Sequence, residues 1–350
     1  MCIYAFKEIL NVYKKHSSPL FVCFLDASKA FDKINYWLLF DKLLKCNLPY
    51  FVVRLLYFWY SSQHVSVQWG SALSSPFLVA NGVKQGGLLS PILFNFYMNV
   101  LSIRLTGSGV GCTANGSIIN YFIYADDMCI VAPCANALQK LLDICTHFAS
   151  THDIVYNTTK SVCMHVKSDK YKLCNLPSVT LSNNTLLYVN KYKYLGCIIT
   201  DTLHDNDDIK RTIRGIYARG NMLMRRFYNC SESVKCMLFR TYCTNFYCTQ
   251  LWWSYSRQTI RKIQVAFNNS FRLLMGFRRR CSASGMFVDC GVNNFTTLRR
   301  KYMYNFISRL SSSPNQLITT LYRYCSVLNV PSVHEFFNTL YSSRSSQFLS

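Results

Sequence analysis

Three aspartates stand where chemistry is possible. Asp26 closes the apolar run Leu20-Phe21-Val22-Cys23-Phe24-Leu25, and Asp126-Asp127 separate two further apolar runs, Ile118–Ala125 and Met128–Ala132. The chain holds only 16 Asp and Glu against 38 Lys and Arg, so a cluster of acids carries information. Surroundings this apolar do not leave adjacent charges in place unless something pairs with them. A strand-end Asp and a hairpin-bend Asp can meet if their strands are neighbours in one antiparallel sheet. Two converging carboxylates with open positions beside them suit Mg²⁺, a hard ion that takes oxygen ligands and keeps waters and substrate phosphates in its shell. Two such ions about 3.5–4 Å apart stabilise the attacking and leaving oxygens of an in-line phosphoryl displacement. The competing reading is that an Asp-Asp pair at a bend is turn chemistry and nothing more.

The elements that must position these acids can be read from periodicity. Leu20–Leu25 is a β-prone run and predicts a buried strand. Ala27–Leu44 reads as a helix, with apolar positions at Ala30, Ile34, Trp37, Leu38 and Phe40. Val65–Trp69 alternates as a short strand, with Leu78–Ala80 as a partner. Gly82–Gly87 is a loop that opens into a helix at Ser90-Pro91, with Ser as N-cap and Pro at the first helical position. Residues 118–132 predict a hairpin with Asp126-Asp127 at its bend, and Asn136–Ser150 an amphipathic helix. A second hairpin is expected over Tyr188–Thr200, turning near Asn190-Lys191. Four acids, Asp201, Asp205, Asp207 and Asp208, form a connector, with Asp207 or Asp208 placed to cap the next helix.

Composition bounds the partner. The net charge is +22, while half the residues are hydrophobic, which excludes a disordered basic tail. A folded chain this basic points to a polyanion, nucleic acid first. The charge is also concentrated: residues 209–310 hold 19 Lys and Arg and only two acids, Glu232 and Asp289, and so carry +17 of the +22. There helical periodicity dominates, with basic runs at Arg278-Arg279-Arg280 and Arg299-Arg300-Lys301. The 17 Cys show no C-x-x-C pair, so reduced, mostly buried thiols are expected rather than a disulfide scaffold or zinc finger. No secretory signal is visible, and Pro91–Leu101 reads as a core helix rather than a membrane span, so an intracellular protein, nuclear or cytoplasmic, is expected.

The residues carry a family resemblance. Phe24-Leu25-Asp26-Ala27-Ser28-Lys29-Ala30-Phe31-Asp32 resembles the first catalytic block of reverse transcriptases of non-LTR (LINE-like) retrotransposons. Gly82-Val83-Lys84-Gln85-Gly86-Gly87-Leu88-Leu89-Ser90-Pro91 resembles their second block, and Tyr124-Ala125-Asp126-Asp127 their Tyr-Ala-Asp-Asp box. Three blocks in family order and spacing are far more specific than any one. The resemblance is strong over about residues 1–200 and looser to about 310.

The resemblance implies an α+β fold: a right-hand polymerase palm, an antiparallel sheet with packed helices, followed by an α-helical thumb. The expected domains are a palm with a remnant of fingers over 1–203, a basic thumb over 204–310, and a helical or frayed tail over 311–350. By similarity, Asp26, Asp126 and Asp127 hold two Mg²⁺ ions, with Mn²⁺ as a substitute. Phe31 is the steric gate against a ribose 2′-hydroxyl, and its other reading is a core aromatic. Gln85 and Gly86 lie along the incoming nucleotide. Lys160, in Tyr156-Asn157-Thr158-Thr159-Lys160-Ser161, is the candidate general acid for the pyrophosphate leaving group, although His152-Asp153-Ile154 and Ser161 depart from the family's usual Gly-Leu and Thr. Tyr194-Leu195-Gly196 matches the hairpin that supports the primer terminus. Arg278, Arg279 and Arg280 are expected on phosphates.

Only 25 residues precede Asp26, and the family's fingers have no counterpart in Met1–Pro19, so an N-terminally truncated fragment is expected. The leading reading is RNA-directed DNA polymerisation, with an RNA template, a DNA primer and deoxynucleoside triphosphates. A group II intron-type maturase shares these blocks but lacks a recognisable maturation segment here. A catalytically idle nucleic-acid-binding remnant is the alternative from another class.

Overall fold

The computed structural model describes residues 1–168 and 175–327. The fold is α+β, and the chain divides into two compact units: essentially Ser17–Asn190, and Ile3–His16 together with the chain from Lys191 on.

In the first unit, five strands form one sheet in the spatial order Leu187–Tyr188, Val162–Val166, Leu20–Asp26, Asp127–Ala132, Tyr121–Tyr124. Leu20–Asp26 is the middle strand. A near-continuous apolar run belongs there because both faces of a central strand are buried. Six of its seven residues are buried, and only Asp26 emerges. The sheet is mixed rather than wholly antiparallel. Leu187–Tyr188 runs parallel to Val162–Val166. About twenty residues separate those strands, enough for the crossover that a parallel pair requires.

Alternation along the strands sorts the two faces. Phe21, Cys23 and Leu25, with Met128, Ile130 and Ala132, pack into one core with residues of Tyr36–Lys45, Ser90–Gly107 and Ala135–Thr151. Phe24 and Asp26, with Asp127 and Cys129, therefore lie in rows on the opposite face. The expected helix over Asn136–Ser150 is present as Ala135–Thr151, one residue longer at each end.

Several expectations are corrected in detail. Ala27–Leu44 is not one helix. Lys29 adopts a left-handed backbone (φ 51°), Ala30–Lys33 forms a 3-10 turn, and a new helix starts at Tyr36. Asn35 causes the restart: its side-chain oxygen accepts from the N–H groups of Trp37 and Leu38 at 3.0 and 3.3 Å, as an N-cap does. The later hairpin turns at Leu195-Gly196, between Lys191–Tyr194 and Cys197–Thr200, not near Asn190-Lys191. Gly196 (φ 77°) supplies the left-handed backbone a two-residue turn needs, and Asn190-Lys191 does not.

Small two-stranded ribbons complete this unit. His64–Val65 pairs with Phe77–Leu78, and Gln68–Trp69 with Ala72–Leu73. The helix after the Gly82–Gly87 loop begins at Ser90 with Pro91 in its first turn, so Leu89 rather than Ser90 is the cap residue.

The second unit combines the helix Cys2–Lys15, the Lys191–Thr200 hairpin and a set of helices that includes Asn206–Phe227, Glu232–Tyr242, Arg257–Met275 and Phe295–Ser311. Its core is aromatic: Phe239, Phe246, Phe267, Phe271, Phe287 and Phe295 are buried together with Trp252. The composition changes near residue 203, but the units divide at Asn190/Lys191. The reason is bonding: Asp208 accepts the Ile198 N–H at 3.0 Å, which ties the hairpin to the helix that follows it. The acidic connector is also bonded within this unit to its first helix, with Lys7 on Asp205 at 3.2 Å. Asp205, not Asp207 or Asp208, is the cap residue, and the latter two fill the first turn, where the helix dipole favours acids.

Every cysteine whose side chain is described is a free thiol. Among the described residues no helix is long and apolar enough to cross a membrane. The part of the expected tail beyond residue 327 lies outside the described residues.

Candidate active site

The site is built where the middle strand ends. Asp26 stands directly opposite Asp127 in the antiparallel register, and Asp127 is in turn opposite Tyr124 across the hairpin. Side chains at directly opposed positions leave the same face of the sheet, with Cβ atoms roughly 4.5–5.5 Å apart. Asp126 sits in the exposed bend beside them, and Ala125 takes the left-handed backbone (φ 54°) that closes it.

Like charges across a strand pair are unfavourable. The Asp127 carboxyl registers this: partial burial, then the negative charges of Asp126 and Asp26, raise its pKa above the ordinary 3.8. Among the described residues no Lys or Arg pairs with any of the three carboxylates. Nor does any group of three or more His, Cys, Asp or Glu there stand close enough to hold a metal ion. The donor set is nevertheless all oxygen, crowded and uncompensated, which in chemistry fits a hard divalent cation.

The loop that follows Tyr156 holds Asp26 by its backbone. The Asn157 N–H donates to the Asp26 carbonyl at 2.8 Å, and the Asp26 N–H donates to Ser161 Oγ at 3.0 Å. Asn157 folds the loop upon itself, its Oδ1 accepting from the N–H groups of Thr159 and Lys160 at 3.1 and 3.2 Å. Lys160 thus has a defined backbone and an exposed side chain.

The second block is bonded to the first. The Val83 N–H donates to the Phe31 carbonyl and the Gly82 N–H to the Ile34 carbonyl, both at 2.8 Å. A Cβ on Gly82 would stand 2.8 Å from Asp32 Cα, so this approach requires glycine. Gln85 is exposed, and its Nε2 donates to Asp32 Oδ1 at 3.0 Å. Gly86 follows with φ 83° and open space around it. Phe31, half-buried, stacks on Phe94 with ring centroids 4.4 Å apart and planes 12° apart. One unit therefore brings together Asp26, Phe31, Gln85, Gly86, Asp126, Asp127 and Lys160.

A family model described as reverse transcriptase (RNA-dependent DNA polymerase) matches residues 3–199, more than half of the chain. The chain belongs to the reverse transcriptase family. It is 30% identical over 200 residues to the Pol polyprotein of the type-2 retrotransposable element R2DM of Drosophila melanogaster, covering 55% of this chain and 19% of that one. It is 24% identical over 310 residues to the RNA-directed DNA polymerase of the mobile element jockey of Drosophila funebris, covering 85% and 33%. The chain thus spans a fifth to a third of the length of these relatives, one from a retrotransposable element and one from a mobile element. Among solved structures, Candida tropicalis telomerase bound to a fragment of telomeric RNA is similar with a TM-score of 0.47 and 12% identity, over 97% of this chain and 52% of that one.

The remaining reverse-transcriptase positions lie in the other unit. The Tyr194 side chain is buried against Phe6 and so is closed to a ligand, whereas Leu195 and Gly196 are partly exposed. Arg278, Arg279 and Arg280 are exposed in the loop after Arg257–Met275. Sequence patterns alone assign no role to Asp32, Phe94, Asn157 or Ser161. Asp32 and Ser161 were visible inside family blocks, but their contacts to Gln85 and Asp26 span 53 and 135 residues.

Proposed function

We propose that this chain carries the nucleotidyl-transfer centre of an RNA-directed DNA polymerase of a non-LTR retrotransposon, extending a DNA primer on an RNA template with deoxynucleoside triphosphates. The observation that carries the reading is the cross-strand pairing of Asp26 with Asp127, beside Asp126 and with no Lys or Arg paired to them among the described residues. In this reading the Ser17–Asn190 unit is the palm, and the basic helices after residue 205 are the thumb.

Asp26, Asp126 and Asp127 would hold two Mg²⁺ ions, or Mn²⁺ in their place, which supply charge neutralisation at the transferring phosphoryl group and a more acidic primer 3′-hydroxyl. The residues of the chain do the rest. Asp32 holds the Gln85 amide, so that Gln85 and Gly86 offer a preset edge to the nucleotide. The glycine leaves room for close backbone approach. Phe31, fixed by Phe94, fills the space a 2′-hydroxyl would need. Lys160 would give a proton to the departing pyrophosphate. The Leu195-Gly196 turn would support the primer end, and Arg278–Arg280 would take phosphates.

The test is primer extension on an oligonucleotide-primed RNA template with Mg²⁺ or Mn²⁺, comparing the chain with Asp126→Asn. Extension by the first and none by the second is expected. Binding without extension by either would establish an idle nucleic-acid-binding remnant instead.

A further inference from the structure

The helix Tyr50–Ser61 is apolar on two sides. Its inner side belongs to the core of the first unit: Val53 and Tyr60 are buried there, and Leu56 packs against them. Its outer side carries Phe51, Leu55 and Phe58, spaced four and three residues apart, with Tyr50 and Trp59 at the two ends. Residues at that spacing share one side of a helix. All five are 60–72% exposed. A helix that is hydrophobic all round is normally buried all round, and in this one Arg54 is the only charged residue of twelve.

Size and charge decide what covers the stripe. A large aromatic side chain presents about 150–250 Å², so the five residues expose roughly 500–800 Å² between them. The largest apolar patch on a typical monomer is about 300–600 Å². One side of a stable protein–protein interface buries about 800 Å², and the stripe supplies most of that. Its aromatic-rich, charge-poor make-up is that of an interface core. Nucleic acid is the wrong occupant, because from Leu55 to Val83 the chain has no Lys or Arg to meet phosphates. A second copy of the chain fits. At +22 each, two copies repel when basic faces meet, and this nearly uncharged stripe lets them approach. Leu55 also stands at its middle, between Tyr50-Phe51 and Phe58-Trp59, so the stripe matches itself when turned end for end. An isologous twofold contact requires that self-match.

We infer that the Tyr50–Ser61 helix is a homodimerisation surface. Two copies pack antiparallel, Leu55 against Leu55 at the axis, with Phe51 of each copy over Phe58 and Trp59 of the other. Dimerisation through this helix requires nothing of the carboxylate site.

The test is sedimentation velocity of the full chain, freed of nucleic acid, at micromolar concentration. A dimer is expected, and it should tighten as salt is raised, because salt screens the repulsion between two basic copies. Association bridged by nucleic acid would weaken with salt instead and overturns the inference. Leu55→Glu and Leu55→Lys should each raise the dimer Kd about a hundredfold, because each sets like charges together at the axis. Both should keep the circular dichroism of the folded chain, since Leu55 is exposed in the single copy. Mixing the two variants should restore the dimer as a heterodimer of opposite charges. Phe51→Ser/Phe58→Ser should dissociate the dimer without adding charge, and it serves if a charged variant does not fold. A monomeric original chain overturns the inference, and so does a dimer that these variants leave intact. Charged variants that dissociate but do not pair when mixed overturn the twofold arrangement. A monomer that co-sediments with phosphatidylcholine vesicles would make the stripe a membrane-surface contact instead.

Discussion

Ser161 holds Asp26. The Asp26 N–H donates to the buried Ser161 hydroxyl, and the same loop returns through Asn157 to bond the Asp26 carbonyl. The strand therefore ends at a defined place with its carboxylate projecting, although Asp26 is separated from Ser161 by 135 residues.

That bond predicts the effect of Ser161→Ala. Removing the hydroxyl leaves a partly buried N–H without an acceptor, at a cost of about 1–3 kcal/mol. Urea denaturation should show a lower midpoint at unchanged slope, and nucleotidyl transfer should fall as Asp26 loses its anchor. Ser161→Thr keeps the hydroxyl and should retain most of both. Equal midpoints for Ser161→Ala and the original chain would show that the bond contributes nothing.

Asp127 predicts a pH dependence. Its carboxyl holds its proton more tightly when folded than the ordinary 3.8, because of burial and the charges of Asp126 and Asp26. The folded chain then binds more protons than the unfolded chain between 3.8 and the raised value, and stability falls as pH rises through that window. Asp127→Asn should remove this decline and should be the more stable form at neutral pH. Mg²⁺ should raise the melting temperature of the original chain by binding only the folded state. The rise should be absent from Asp26→Asn/Asp127→Asn when the two are scanned by calorimetry.

Phe94 should control sugar discrimination without touching the sugar. Phe31 is held flat against it at 4.4 Å. An aromatic pair of this kind contributes roughly 0.5–1.5 kcal/mol beyond burial. Phe94→Leu should loosen Phe31 and raise ribonucleotide incorporation relative to deoxynucleotide incorporation. Phe31→Ala should raise it further. Unchanged ratios of kcat/KM in both variants would remove Phe31 from the gate role and leave it as a core aromatic.

His152 supplies a second pH signal, of opposite sign. Burial, followed by the charges of Lys42 and Arg104, lowers its pKa from 6.5 to about 4. The ring stacks on Phe148 at 4.0 Å. Because its folded pKa is depressed, the unfolded chain binds the extra proton between 6.5 and about 4, and stability is lost as pH falls through that range. Chemical denaturation at pH 7 and pH 5 should show the loss in the original chain and a smaller one in His152→Phe. Parallel losses would place the titration elsewhere.

Much of the site was legible because it is local. An apolar run that stops at Asp26 announces a central strand, and acids between two apolar runs announce a bend. The glycines of Gly82–Gly87 announce a close backbone approach. The α+β class followed from the family resemblance that these blocks carry. Helix limits were legible within a residue or so where amphipathic spacing was clear, as in Ala135–Thr151. The Ala27–Leu44 reading failed because apolar spacing does not report an N-cap: Asn35 restarts the helix through its side chain.

By itself the sequence determined which residues are acids, glycines and apolar neighbours, and hence the family, the central strand and the two blocks that meet. Tertiary structure alone decided that Asp26 faces Asp127. Strand register has a period of two, and a slip of one residue would send one carboxylate to the other face of the sheet. It likewise decided that Ser161 caps Asp26, that Asp32 holds Gln85 and that the Tyr247 hydroxyl bonds the Leu195 carbonyl. Those contacts join segments 52 to 135 residues apart. No local periodicity encodes them, because they form only when the packing of whole elements brings the two ends together.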